Sequence, residues 1–291
     1  MMTDTKRQNG RRSIIVVGCD DVGSAIACIL HRAGAAVVVV DGADPPWSRR
    51  GMSYTDAWYV GGATLDGVDA CFCGSVKSIS PVLDRGDMVA ATTWSWQGVA
   101  AVVGPAAVIE TRLGRVALPA QCRPATLENV LAIGVRATHV GGWPADVVIA
   151  DGFTRSDGAR GGGRIEDTAL SRIEAPHGGR FRTRHEIAER VDAGDVIGEL
   201  GGFAVVARVT GVLRALAARG ARVAPGDMLA EVDGRNEPSN CFGITAEARA
   251  IAHRVAAAVR RPIVEPGPPI RPGTLCGTGS QSSDVRQAQG T

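Results

Sequence analysis

The chain has 291 residues, 45% of them hydrophobic and 4% aromatic, with a formal net charge of +2. That length allows two domains and a core built mostly from Val, Ala, Leu and Ile. The near-neutral balance gives no electrostatic case for a nucleic-acid partner, and no apolar run reaches the length of a membrane span.

The expectation is therefore a cytoplasmic protein with neither nucleic acid nor membrane as partner. Seven cysteines, Cys19, Cys28, Cys71, Cys73, Cys122, Cys241 and Cys276, are odd in number and scattered, which argues against a disulfide framework. Cys71-Phe72-Cys73 is the one close pair, and no second Cys/His cluster completes a metal site. No metal is expected.

In chain order, residues 1–12 read as a polar, disordered start. Ser13 to Val17 reads as a buried strand and Ser24 to Ala33 as a helix, with Ile26, Ile29 and Leu30 at helical spacing. Ala36 to Val40 is a second buried strand ending at Asp41. Together they form a β-α-β unit. Asp44 to Ser53 reads as a loop carrying Arg49 and Arg50, open to two readings, a phosphate clamp or a solvated turn. Short strands are predicted at 68–73, 88–94, 107–110, 131–135 and 147–150. Asp157 to Arg164 is Gly-rich and expected to be a mobile loop. Ala246 to Arg260 reads as an amphipathic helix, and the tail from 265 lacks the apolar content to fold.

The clearest pattern is a repeat of 32 residues. Gly179, Phe181, Val191, Gly194, Asp195, Ile197 and Glu199 recur as Gly211, Leu213, Val223, Gly226, Asp227, Leu229 and Glu231. Gly-Asp is a tight-turn signal, and alternating apolar residues follow it as in a half-buried strand. Two interleaved copies resemble the barrel-sandwich hybrid of biotinyl and lipoyl carriers. Those carriers need a lysine at the hairpin between copies, which here is Leu200-Gly201-Gly202-Phe203, and no lysine lies beyond Lys77. Covalent biotin or lipoate is excluded. A structural or docking module and a non-covalent binding module both remain.

Two turns are candidates for anion binding. A dinucleotide fingerprint needs G-x-G-x-x-G between strand and helix, so that backbone and helix N-terminus approach pyrophosphate. Here the turn reads Gly18-Cys19-Asp20-Asp21-Val22-Gly23, with Asp20 in place of the middle glycine. Asp41 fits the ribose-binding acid position. The second turn runs from Gly134 to Gly142, where Arg136 and His139 could contact an anion. The candidate cofactor-binding residues are thus Gly18, Asp20, Asp21, Gly23, Asp41, Arg49, Arg50, Gly134, Arg136 and His139. No nucleophile elbow, zinc-protease, kinase or P-loop signature appears, so catalysis is left open.

The order of these motifs resembles the YqeB-type proteins of the selenium-dependent molybdenum hydroxylase system, distant relatives of the xanthine dehydrogenase accessory proteins. The resemblance rests on Arg49-Arg50-Gly51-Met52-Ser53-Tyr54-Thr55-Asp56-Ala57, on Glu174 to Phe181 and on Cys241 to Ile251. The chain diverges from that family at both glycine-rich loops.

The implied fold class is α/β, a Rossmann-like region followed by the duplicated barrel-sandwich hybrid module. Residues 13–170 would form the first domain, 171–234 the β-module and 235–264 a C-terminal helical segment, with 265–291 disordered. The implied function is an accessory or maturation protein for a molybdenum hydroxylase or its cofactor, binding a phosphate-bearing ligand such as molybdopterin or a nucleotide. The alternatives are an NAD(P)-dependent oxidoreductase and a non-catalytic interaction subunit in another cofactor pathway. The implied partner is a molybdenum hydroxylase or another enzyme subunit, and a homo-oligomer is compatible with both.

Overall fold

A computed structural model describes residues 10–112, 129–135, 145–150 and 169–260. The Gly-rich stretch 157–164 and the tail from 265 lie outside the described residues, as do Arg136 and His139. Of the expected disordered start 1–12, residues 1–9 lie outside the described residues. Arg11 is tied down by the carbonyls of Gly34, Ala35 and Gly86 at 2.8–3.0 Å.

The first half is a mixed α/β arrangement on an eight-stranded sheet. Strands β1 (Ser13–Val17) and β2 (Ala36–Val40) are β-branched runs buried at every position, as parallel strands covered on both faces must be. Between them runs α1 (Asp21–Arg32), with an acid in its first turn and His31 and Arg32 in its last, both complementing the helix dipole.

The sheet continues with β3 (Gly62–Leu65), β4 (Val68–Phe72), β5 (Met88–Thr92), β6 (Ala107–Glu110), β7 (Leu131–Val135) and β8 (Val147–Ile149). The order is β3-β4-β5-β2-β1-β6-β7-β8. Every pairing is parallel except the β3–β4 hairpin. That hairpin turns on Asp66 and Gly67, both at positive φ, the signature of a two-residue turn matched to strand twist.

One face of the sheet packs on α1 and the C-terminal helix α5 (Ala246–Arg260). The other packs on α3 (Ile79–Arg85) and α4 (Trp96–Val103). A short α2 (Asp56–Val60) precedes β3. Asp66 anchors the approach to α5, accepting from the Ile244 amide at 3.3 Å and from Arg249 at 2.8 Å.

The second half contains two four-stranded antiparallel sheets. One has the order β13 (Phe203–Val206), β12 (Val196–Leu200), β10 (Gly179–Arg182), β15 (Arg222–Val223). The other runs β11 (Arg190–Val191), β14 (Gly211–Leu216), β16 (Met228–Asp233), β9 (Leu170–Glu174). The two sequence copies exchange strands: β10 pairs with β12 of its own copy and β15 of the other, while β14 pairs with β16 and β11.

The repeated Gly-Asp turns are built alike. Gly194 and Gly226 lie at φ +100° and +85°. Asp195 accepts from the Asp192 amide at 2.8 Å and Asp227 from the Ala224 amide at 2.7 Å. Phe181, Ile197, Leu213 and Leu229, all recurring positions, are fully buried in the core between the copies. Full burial of such a side chain stabilises by about 1.5–3 kcal/mol.

Candidate functional site

At the C-terminal ends of β1, β2 and β6 the chain leaves the sheet in opposite directions, β2 to one side of β1 and β6 to the other. Ligands of open parallel sheets bind in the crevice such a switch creates. The turn from Gly18 to Gly23 lines it. A Cβ on Gly18, at φ +115°, would lie 2.2 Å from Thr111 Oγ1, and one on Gly23 would lie 2.1 Å from the Gly18 carbonyl. Helix, turn and strand approach too closely for any side chain at either position.

The donors of this turn are already taken. Asp20, 2% exposed, caps α1 by accepting the Gly23 amide at 2.7 Å. Asp21 accepts the Val22 amide at 3.1 Å, and Asp41 accepts the Cys19 amide at 2.8 Å. Asp41 also accepts from the Gly42 amide and from Trp47 Nε1. Three carboxylates of the chain therefore sit on amides that a phosphate cradle would present to its ligand. Burial, reinforced by the Asp41 charge, pushes the Cys19 thiol well up, which removes it as a nucleophile.

On the opposite wall Glu110, 1% exposed, is clasped by Arg112 through its backbone amide, Nε and Nη2 at 2.9–3.0 Å. Burial works against the Arg112 charge, and Glu110 and Asp41 more than offset it.

Arg49 and Arg50 are neither solvated nor at the tip of a loop. They form the seam between the parallel sheet and the β-module. Arg49 spans from Asp21 at 3.5 Å to Glu231 of β16 at 3.0 Å. Arg50 donates to the Leu216 carbonyl at 2.9 Å and to Asp56 at 2.7 Å. Gly51 packs so closely that a Cβ would lie 2.4 Å from the Cys241 carbonyl. The following Ser53-Tyr54-Thr55 closes back on the crevice: the Tyr54 amide donates to Ser24 Oγ at 2.9 Å, and Ser24 donates to the Cys19 carbonyl at 2.8 Å.

Glu231 is the hub of the seam. It is fully buried and receives Arg49 at 3.0 Å, Arg172 at 2.9 Å and Arg214 at 2.6 Å. Burial alone would raise its pKa. The Arg49 charge and the Arg172, Arg49 and Arg214 contacts overturn that and leave it below the ordinary carboxylate value. Nearby along the chain from this contact, two buried polar atoms have no hydrogen-bond partner among the described residues: Ser48 Oγ and Arg49 Nε.

The structure thus gathers Gly18, Asp20, Asp21, Gly23, Asp41 and Arg49 in one region. Gly134 is a strand residue rather than a turn, paired with Glu110 and Val148 inside the sheet. Sequence reasoning missed Glu110, Arg112, Arg172 and Arg214. It met Glu231 only as a member of the repeat. The available signal was there: Arg182 precedes Arg214 by the repeat length, as Glu199 precedes Glu231.

No family model matches the chain. It is similar to the uncharacterized protein YqeB of Escherichia coli (strain K12), 24% identical over 268 residues. Those cover 89% of this chain and 49% of YqeB, so the chain spans about half the length of that curated relative. Among solved structures it matches the succinylglutamatedesuccinylase/aspartoacylase of Rhodobacter sphaeroides, 13% identical, over 72% of this chain and 61% of that one. The TM-score is 0.21, too slight a likeness to place the two in one fold.

Proposed function

We propose that this chain is an accessory protein in the maturation of a molybdenum hydroxylase or its cofactor, and that it takes a phosphate-bearing ligand at the seam between the parallel sheet and the β-module. The family role comes from the YqeB-type resemblance. The binding role is carried by Ser48 Oγ and Arg49 Nε, buried and without a hydrogen-bond partner among the described residues. Leaving a buried polar group unpaired costs about 1–3 kcal/mol, and an anion at the seam would pair both. Arg49 would hold the phosphate through Nε, its two terminal nitrogens staying on Asp21 and Glu231 and offsetting their charge, with Ser48 donating its hydroxyl. Molybdopterin and nucleotides share that chemistry.

The sheet order around β1 supports a Rossmann-like reading of the first half, and the strand exchange supports a barrel-sandwich reading of the second. The dinucleotide alternative rests on Asp41 at the end of β2. Asp20, Asp21 and Asp41 already occupy the turn's amides, and a pyrophosphate there would meet all three carboxylates. This geometry does not fit a nicotinamide dinucleotide bound in the usual way.

Mass spectrometry of protein purified from its host tests the proposal. A co-purifying pterin or nucleotide is expected, together with calorimetric binding that Arg49→Ala weakens at least about tenfold, as loss of a charged contact would. No bound ligand and no binding in titration would sink it. A fluorescence titration with reduced nicotinamide dinucleotide is expected to give no saturable change over free cofactor. A saturable one would revive the oxidoreductase alternative.

A further inference from the structure

The duplication places one ion pair twice. Arg214 Nη1 meets Glu231 Oε1 at 2.6 Å, and Arg182 Nη1 meets Glu199 Oε1 at 3.6 Å. Only the second-copy pair is covered, and its cover shows how this module takes another segment of chain. The Leu216 amide donates to the Ser48 carbonyl at 2.7 Å, and the Leu216 carbonyl accepts from Arg50 at 2.9 Å. Arg49 completes the contact on Glu231.

The first-copy equivalent of Leu216 is Arg184, and there the face is open. The side chains of Arg182 and Glu199 are 74% and 47% exposed. With Arg184, Arg219, Val196 and Ile197 they line a groove of about 590 Å³.

This open face is strongly basic. Phe181 and Thr183 are buried while Arg180, Arg182 and Arg184 are exposed; alternation within β10 puts Arg180 and Arg182 on one side, and Arg184, just past its end, lines the groove with Arg182. Arg219 is steered by the Thr183 carbonyl and Arg180 by the Gly220 carbonyl. Arg180 stands directly opposite Arg222 across the β10–β15 pair. Like charges in that register destabilise a sheet, so stability does not account for them. Against five arginines stand Glu199 and, 3.9 Å from Arg222, Asp44. His185 is paired with Glu189 at 2.8 Å.

We propose that this groove docks an acidic segment of a partner protein, lying across the first copy as Ser48–Arg50 lies across the second. Alternate arginines along a strand repeat at about 6.6–6.8 Å, the spacing of alternate side chains in an extended peptide. Val196, 57% exposed, supplies apolar contact at the rim. No Phe, Tyr or Trp is among the described lining residues, so the groove lacks the stacking platform that single-stranded nucleic acid uses.

The test is fluorescence anisotropy of the full chain with a labelled peptide alternating Glu and Val. Saturable binding that weakens with salt is expected. The double variant Arg182→Glu/Arg184→Glu, with an unchanged far-UV spectrum, should weaken it at least about tenfold, and Arg254→Glu on the exposed face of α5 should leave it unaltered. No binding, equal binding by the double variant, or tighter binding of a thymidine oligonucleotide than of the peptide overturns the proposal. The peptide carries no phosphate, so its failure would leave the ligand proposed at the seam untouched.

Discussion

The two copies of the repeat put one acid in two environments, and this separates what a residue is from what its surroundings make of it. Glu199 is half-exposed and faces Arg182 across 3.6 Å. Glu231 is fully buried among three arginines. Glu231→Gln leaves those guanidinium groups uncompensated, and breaking a buried ionic network from one side costs about 3–5 kcal/mol. Glu199→Gln removes a surface pair and should change stability by no more than about 0.5 kcal/mol. Urea denaturation of the two variants checks the contrast directly. The glycines of the β1-α1-β2 unit divide in the same way. Gly23→Ala drives a Cβ to 2.1 Å from the Gly18 carbonyl, and the helix must shift against a fully buried strand. Gly34→Ala meets open space but must hold φ +89°, a conformational cost of about 1–2 kcal/mol. The thermal midpoint of Gly23→Ala should fall below that of Gly34→Ala.

At the level of elements, the Gly-Asp turns carry the duplication. Asp195→Ala and Asp227→Ala each remove one side-chain bond to the amide three residues earlier. Each should cost about 1 kcal/mol, and similar falls in urea midpoint would show that the two turns are equivalent. These turns were legible because their chemistry is local: glycine at positive φ beside an acid that closes the loop. The buried strands 13–17 and 36–40 were legible because unbroken β-branched runs have few other uses. Helices α2, α3 and α4 were not. The first has five residues, the second carries Pro81 and three polar positions in its seven, and the third places a glycine in its first turn. None is long enough for a helical period to stand out. Strand β9 was hidden for another reason. Its sequence Leu-Ser-Arg-Ile-Glu is mostly polar because Arg172 faces the seam. The seam itself could not be read at all. Arg49 and Glu231 lie 182 residues apart, and nothing local to either names the other.

At the level of the whole molecule, that seam makes the joining of sheet and β-module sensitive to acid. Glu231 and Asp233 both have folded pKa values below their ordinary ones. For each, burial opposes the shift and arginine overcomes it: Arg49, Arg172 and Arg214 at Glu231, Arg235 at Asp233. His31 is also lowered, by burial first and Arg11 second, from an ordinary value of 6.5. In all three cases the unfolded chain takes up protons at a pH where the folded chain does not. Stability is therefore fully present above the unfolded pKa and is lost as pH falls towards the folded one. The urea midpoint should first decline below pH 6.5, where unfolded His31 begins to charge. A steeper decline should follow below 4.5, the ordinary value for Glu231. His31→Gln should flatten the first phase alone, and Glu231→Gln the second. Because Arg49 joins Asp21 on the sheet side to Glu231 on the module side, protonating Glu231 loosens the seam before either core. Hydrogen exchange below pH 4.5, the ordinary value that folded Glu231 lies beneath, should then rise first in residues 48–55 and 214–217, while β1 and β2, buried at every position, stay protected. Simultaneous loss of protection in β1 and at the seam would show instead that sheet and module unfold as one cooperative unit.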